Sequence, residues 1–565
     1  MLGLTWQDWL VVCVYFAVIM AVGTWAYRRV KSSTSFFISD RRFGKLFMVL
    51  FAFGTGTHSD QAVGVASKTY TAGASGIWYQ WLWLFVTPFY WIIPPLFRRM
   101  RAVTTSDYFE ARYDRSVAVL FAVVGIFIMM VNIGVMLKGA GAMITAVSGD
   151  TIPIAWAIGA MTAMFVLYGI AGGLAAAIMT DFIQGMLTIV LSFLILPFAL
   201  AAVSGMSGLR EAIADPTMFE IVAPGEITAF YVAVIAINGL VGWATQPHSM
   251  GICAAGKTDM EGRVGVMVGN FVKRVCTIAW MLTGLAAVAI FADEVIEPDK
   301  AYGLMAGRLL PQVAPGLVGL FIASLLAAVM SSCDAFMVTS SALFTENIYR
   351  SLLVKDKSDK HYVLVGRAVS AIVVVCAIII AFKLESVVKG LELFWKISAM
   401  MGIAFWVGLF WRRATVVGAW AATLAGFAAW AFTTKIPFVW DFNARFAQVL
   451  PEWMLWEGNL WLPMQMIFYL AAGFIAMVVV SLLTRRVAAK KLDRFYGCIR
   501  TPVGPNEPET VPFTLPEGVA PAPRRVLIDH PDFEIARPTL VSVVGFLAAW
   551  VVVGLLIAAV YWIFS

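Results

Sequence analysis

Long apolar runs separated by short charged loops fill this chain. A spanning helix needs roughly 20 mostly apolar residues, so about fourteen spans are expected. They lie near 6–27, 46–66, 77–97, 117–145, 153–171, 175–203, 228–247, 265–292, 314–344, 364–382, 389–411, 414–433, 463–484 and 540–563. Several are long enough to require tilt. Two runs are interrupted by polar residues. The second contains Phe51-Ala-Phe-Gly-Thr-Gly-Thr-His-Ser-Asp-Gln61, and the seventh ends in Asn238-Gly-Leu-Val-Gly-Trp-Ala-Thr-Gln-Pro-His-Ser249. Irregular backbone at membrane depth is tolerated only where protein buries it or water reaches it. Interrupted helices about five spans apart, at corresponding places of two halves, mark an inverted-repeat transporter; the competing reading is ordinary Gly/Pro kinks.

Composition agrees with the pattern. The 565 residues are 61% hydrophobic and 13% charged, with mean hydropathy +0.84; a soluble domain is about 45–50% apolar and about 25% charged. There are too few charges to cover several soluble cores, which excludes a soluble enzyme or a secreted domain. The net charge of +7 is read by location. One set of loops carries Arg28, Arg29, Lys31, Arg41 and Arg42, then Arg98, Arg99, Arg101, Arg112 and Arg115, then Lys257 and Arg263. The same side continues with Arg350, Lys355, Lys357, Lys360 and Arg367, with Arg412 and Arg413, and with Arg485, Arg486, Lys490, Lys491 and Arg494. The other side holds Asp293, Glu294, Glu297 and Asp299. The positive-inside rule makes the first side cytoplasmic and turns both termini outward, leaving no case for nucleic acid as a partner.

The first run lacks a basic segment before it and a small-residue cleavage site after it, and reads as a retained helix. Six cysteines without a CxxC, and four scattered histidines, argue against a disulfide scaffold or a metal cluster. Thr434 to Leu462, rich in Trp and Phe, is expected as an outer loop on the membrane surface. Arg485 to Pro538, with its Pro-rich stretch 502–523, is expected as a cytoplasmic tail ordered by contact.

The candidate chemistry lies inside the membrane. Ser331 and Ser332 are followed within one turn by Asp334. Serines in such helices usually bond the carbonyl four residues back, but an intramembrane acid is costly unless it faces a cavity or a cation. Hydroxyls and freed carbonyls suit a hard monovalent ion such as sodium. Asp181, at a helix entrance, is either a second functional acid or a structural one.

These residues carry a resemblance. The break Asp60-Gln61-x-x-Gly64, the motif Thr105-Ser-Asp-Tyr-Phe-Glu-x-Arg112 and Gly172-Gly173-Leu-x-x-x-x-x-Thr180-Asp181-x-x-Gln184 belong to it. So do Ser331-Ser332 with Phe344-Thr345-x-Asn347-Ile-Tyr349, and Gly408-Leu-Phe-Trp411-Arg-Arg. The chain resembles the sodium:solute symporters from about Trp6 to its last helix. The resemblance implies an all-α polytopic membrane protein with the LeuT-type five-plus-five inverted repeat, one extra helix in front and three behind. It implies symport by alternating access and no enzyme activity, with sodium as the ion and no organic cofactor. The sodium site would use carbonyls of Gly54, Thr57 and Ala328 with the hydroxyls of Ser331 and Ser332. Asp181 and Asp334 would act in coupling. Where some members build a second sodium site from hydroxyls, this chain has Asp334 and Ala335, so that pattern is not kept and a proton is the alternative. The solute positions of sugar-transporting members fall on Gln61, Gln80 and Lys273, which suit a polyol or another polar, possibly anionic solute. Trp243 or Tyr70 would close the site, because Gly242 stands where a gating aromatic is expected. Glu392 and Lys396 are either a pair that reads substrate or a self-neutralising ion pair, and His58 is a further candidate beside the ion.

The implied organisation is an N-terminal helix and loop over 1–43 and a transport core over 44–413, with halves near 44–203 and 226–413. Two peripheral helices (414–484), the tail (485–538) and a last helix (539–565) follow. The expected function is sodium-coupled import of a small polar solute, a sugar or related polyol or carboxylate, across a bacterial inner membrane by a unit that works as a monomer. The competing readings are a proton-coupled symporter or a sensor module on the same fold, a membrane enzyme, for which no convergent nucleophile–base or metal set is present, and a channel.

Overall fold

The computed structural model describes residues 4–27, 44–102, 104–223, 225–436, 439–504, 507 and 511–565, with side chains outside 23–27, 167–179, 254 and 436. The loop cations Arg28, Arg29, Lys31, Arg41 and Arg42, and the side chains of the Gly172-Gly173 part of the third motif, lie outside the described residues.

Helices run through the chain as the apolar runs require. The first half holds α1 (Trp6–Tyr27), α2 (Lys45–Gly56), α3 (Ser59–Ala72), α4 (Arg115–Val147) and α5 (Ile154–Leu194). Then come α6 (Ala229–Trp243), α7 (Pro247–Ala254), α8 (Asp259–Ile290), α9 (Leu317–Ala342), α10 (Asp359–Lys383) and α11 (Val387–Phe410). The chain closes with α12 (Val416–Phe432), α13 (Leu462–Leu483), α14 (Ala489–Arg500) and α15 (Leu540–Phe564). Among the described residues eight helices are long and apolar enough to cross a bilayer, or nine if the bent pair α6–α7 counts as one span. Trp6–Val22, Lys45–Gly56, Ile154–Val166 and Val416–Phe432 are shorter apolar helices.

Hydropathy alone does not say which helices form the core; burial does. The most apolar stretch of Leu317–Leu353 is 89% buried and that of α8 72%, against 17% for α15 and 28% for α10 and α13. A helix as apolar as α15 with so little protein around it is matched to lipid. Small residues let the core helices close up. A Cβ on Gly402 of α11 would fall 2.0 Å from the Val241 carbonyl oxygen of α6. Gly402→Ala is therefore expected to force the two helices apart, at an overpacking cost of about 1–3 kcal/mol. Thermal melting of the purified variant checks this, and an unchanged midpoint would refute the contact.

Three expected spans look different. The run 77–97 is no single helix: it breaks into turns at Gly73–Ile77, Trp78–Trp81 and Thr87–Trp91 before a short helix, Ile93–Arg99. Pro88, Pro94 and Pro95 withhold backbone donors. The expected runs 153–171 and 175–203 appear as one helical stretch, α5, continued by Leu196–Ala202. Its described arms nevertheless reach the same end of the bundle. Lys300 pairs with Asp150, just before α5, at 3.1 Å, and the Tyr302 hydroxyl donates to the Leu191 carbonyl at 2.9 Å.

The loop 434–462 carries two small hairpins, Lys435–Ile436 with Trp440–Asp441 and Leu455–Trp456 with Asn459–Leu460. At the other end of the bundle the loop cations meet. Arg99 pairs with Asp259 at 2.7 Å, Arg101 pairs with Glu507, and Arg112 donates to the Gly408 carbonyl at 2.7 Å.

Candidate functional site

The first helix break is built by its own polar residues. Thr57 (φ −122°, ψ 108°) and His58 (φ −116°, ψ 163°) are extended, so α2 stops and its last carbonyls leave the ladder. His58 then caps α3, and its main-chain N–H donates to Gln61 Oε1 at 3.3 Å. Gln61 Nε2 donates to the Gly56 carbonyl at 3.2 Å and approaches His58 Nδ1 at 3.1 Å. His58 Nε2 lies 3.1 Å from the Thr55 carbonyl. Gln61, expected to hold solute, is thus engaged in restarting the helix.

Oxygens from α2, α5 and α9 converge beside this break. The Ser331 hydroxyl donates to Asp181 Oδ1 at 2.5 Å, and the Thr55 hydroxyl donates to Asp181 Oδ2 at 3.2 Å. The Ser332 hydroxyl reaches the carbonyls of Gly54 at 3.3 Å and Thr55 at 3.4 Å. A Cβ on Gly54 would lie 3.3 Å from both the Asp181 carbonyl oxygen and Ser331 Oγ, so glycine allows this approach. Thr57, Ala328 and Asp334 are buried in the same region of α2 and α9, the Thr57 hydroxyl without a protein partner. The set is all hard oxygen with one carboxylate, a fit to sodium. Among the described residues no group of three or more His, Cys, Asp or Glu is placed to hold a metal. Tyr15 of α1 backs the site: its hydroxyl accepts from Gln184 Nε2 at 3.2 Å, one turn past Asp181.

The second break bends the chain by 66° between α6 and α7. Thr245 donates to the carbonyls of Gly242 at 3.0 Å and Ser398 at 2.8 Å, and Ser249 donates to that of Trp243 at 3.2 Å. The two breaks face one another across the ring of Phe336, which lies 5.3 Å from the His58 ring and 4.5 Å from that of His248.

Between them is a cavity of about 60 Å³, room for a few waters in this conformation. His58, Gln61, Trp243 and Lys273 line it together with Trp83, Tyr90, Asn132, Gln246, His248, Asn270, Arg274 and Phe394. Lys273 and Gln61 meet at one point, since the Lys273 ammonium also donates to the Gly56 carbonyl. Trp243 packs on Tyr90 with centroids 4.5 Å apart. Gln80 is not in the lining; it lies behind Arg274, whose Nη1 donates to the Gln80 carbonyl at 2.5 Å. Tyr70 is also absent from the lining.

Glu392 lies outside the cavity lining, and neither the substrate-reading nor the self-neutralising pairing with Lys396 is the contact it makes. It accepts from the Tyr79 hydroxyl at 2.9 Å and pairs with Lys389 at 3.4 Å. Lys389, three residues back toward the helix start, keeps its ammonium in solvent while reaching the carboxylate, which Lys396, deeper in α11, does at greater cost. Sequence reasoning missed Arg274, Asn270, Gln246, His248 and Asn132. The repeated His-Ser at both breaks was the signal for His248. The Lys273-Arg274 pair reads equally well as a cytoplasmic collar, which hid Arg274.

Known proteins resemble this chain. The family model described as "Sodium:solute symporter family" matches residues 36–426. A sodium/glucose cotransporter of Vibrio parahaemolyticus is 24% identical over 456 residues, covering 74% of this chain and 83% of that protein. An osmoregulated proline transporter of Bacillus subtilis is 25% identical over 512 residues, 86% of this chain and 96% of that one. A sodium/myo-inositol cotransporter 2 of Sus scrofa is 26% identical over 473 residues, 74% and 68% of the two chains. In fold the chain is like a solved Na+-coupled sialic acid symporter in a substrate-bound outward-open state. The TM-score is 0.70 at 19% identity, covering 86% of this chain and 99% of that one.

Proposed function

Because the chain belongs to the sodium:solute symporter family, and is a multi-pass membrane protein of a transporter family and not an enzyme, we propose that it imports a small polar organic solute together with sodium. The observation that carries this is the meeting of Asp181, Ser331, Thr55 and Ser332 at the unwound end of α2. Gly54, Thr57, Ala328, Ser331 and Ser332 form the sodium site in this reading, with Asp181 as its carboxylate and Asp334 as a coupling residue. Sodium draws α2, α5 and α9 together, and solute in the neighbouring cavity completes the state from which the two halves rock inward. Trp243 and Lys273 contact the solute, while Gln61 and His58 hold the break in shape. Gln80 supports this wall from behind through Arg274.

The reading extends to the architecture: about fourteen spans around a five-plus-five inverted repeat. The domain boundaries follow it, with the core over 44–413, flanking helices over 414–484 and the tail over 485–538. The arginine-rich end is cytoplasmic and both termini are outside in a bacterial inner membrane. A single copy suffices for transport, and its partners are sodium, solute and lipid.

The test is counterflow of solute in proteoliposomes with sodium or with choline, where equal rates in both cations would refute sodium coupling. Ser332→Ala removes one hydroxyl from the carbonyls of Gly54 and Thr55. The loss of an ion-ligating oxygen costs about 1.5–3 kcal/mol, so the half-saturating sodium concentration is expected to rise about tenfold or more. A sodium titration of uptake reads it, and a curve that overlays the wild type would move the site elsewhere.

A further inference from the structure

We propose that the solute is an organic anion whose acid group is received by Arg274 and Lys273 on α8. The proposal rests on the transport reading above and names its substrate class. Arg274 is 1% exposed, and a guanidinium does not shed its proton. Its bonds go to neutral groups only: Nη1 to the Gln80 carbonyl at 2.5 Å and Nη2 to Asn270 Oδ1 at 3.1 Å. Its Nε has no partner. Lys273 beside it donates to another neutral acceptor, the Gly56 carbonyl.

The remaining wall has the same bias. Its other buried polar atoms without a partner are all nitrogens: Asn132 Nδ2, Gln246 Nε2 and His248 Nδ1. No Asp or Glu lies among the described lining residues. Asp60, the acid at the break, lies outside this lining, 3.4 Å from His58 Nδ1, and neither of its oxygens has a hydrogen-bond partner. A buried cation among neutral dipoles and unfilled donors is costly in a membrane. One carboxylate cures both defects, because it brings a negative charge and up to four lone-pair sites and carries no donor of its own. A neutral polyol brings acceptors, but each hydroxyl also adds a donor to a site short of acceptors, and the Arg274 charge stays uncompensated. The faces of Trp83, Trp243 and Phe394 leave the rest of the wall to an apolar or weakly polar body.

The experiment uses the purified full-length protein and solutes paired so that charge is the main difference: lactate with lactamide, gluconate with sorbitol, glucuronate with glucose. Thermal melting is followed with millimolar solute in sodium and in choline. At least one acid is expected to raise the melting temperature in sodium while its neutral partner does not. Arg274→Gln and Lys273→Gln are expected to weaken that acid about ten- to a hundredfold, and Arg274→Lys, which keeps charge and loses the fork, by less. Sodium alone must still stabilise each variant, which shows the fold and the ion site intact. A neutral partner that binds as well as its acid overturns the proposal. So does acid binding unchanged in both glutamine variants, or no binding by any acid while sodium still stabilises. None of these touches sodium coupling, which fails separately if sodium gives the wild-type protein no stabilisation over choline.

Discussion

Asp181→Asn is expected to raise the half-saturating sodium concentration for uptake about a hundred- to a thousandfold, with the protein still folded in the membrane. The carboxylate is buried, and each of its oxygens accepts from a hydroxyl: Ser331 at 2.5 Å and Thr55 at 3.2 Å. Asparagine keeps the shape but presents one oxygen and a nitrogen that must donate, so one hydroxyl loses its acceptor and the ion loses the full charge that Ser331 and Thr55 hold in place. Removing one member of a buried charged network costs about 3–5 kcal/mol, and 1.4 kcal/mol is about tenfold. The effect therefore exceeds that of either serine, which contributes a neutral oxygen. Sodium titration of uptake and of melting temperature reads it directly. An unchanged half-saturation with the variant at normal abundance would return Asp181 to a structural role.

Local signals made much of this site legible. The polar residues of 51–61 and 238–249 stand out inside apolar runs, and both runs do break there, at Thr57–His58 and between Trp243 and Pro247. Ser331, Ser332 and Asp181 stood out for the same reason: polar groups at membrane depth need partners, and here they find each other across helices. What sequence could not show was which neighbour satisfies whom. Gln61 was expected to hold solute because it falls on a solute position of the sugar-transporting members. At a break, however, the Gly56 carbonyl and the His58 N–H are free to take it. Glu392 looked paired with Lys396 by spacing, yet Tyr79 arrives from more than three hundred positions away in sequence. Arg274 was hidden because a Lys-Arg pair early in an apolar run has the same signature as a cytoplasmic collar. Only the packing of α8 along α2, made possible by Gly265 and Gly269 against Met48, Val49 and Phe53, puts it inside.

The tail is the other part that composition describes only in outline. Glu534→Ala is expected to release residues 485–538 from the arginine-rich end of the bundle. Glu534 is buried and takes three guanidinium groups: Arg412 at 2.8 Å, Arg500 at 3.1 Å and Arg524 at 3.3 Å. Those arginines come from the end of α11, from α14 at the start of the tail and from the tail's later part, so one carboxylate ties two stretches of the tail to each other and to α11. Burial works against the charge on Arg412, but its bonds to Asp493 and Glu534 outweigh this and hold its pKa above the ordinary arginine value. The backbone adds to the clasp: the Arg412 N–H donates to the Asp532 carbonyl at 2.7 Å and the Glu534 N–H to that of Phe410 at 2.9 Å. Without the carboxylate, three like charges face each other with one acceptor fewer, a loss of about 3 kcal/mol at this depth of burial. The expected readouts are a lower melting temperature and faster trypsin cleavage after the exposed Arg524 and Arg525. Glu534→Gln, which keeps the acceptor oxygen and loses the charge, should fall between the two. Cleavage and melting both equal to wild type in the alanine variant would show that backbone pairing alone holds the tail.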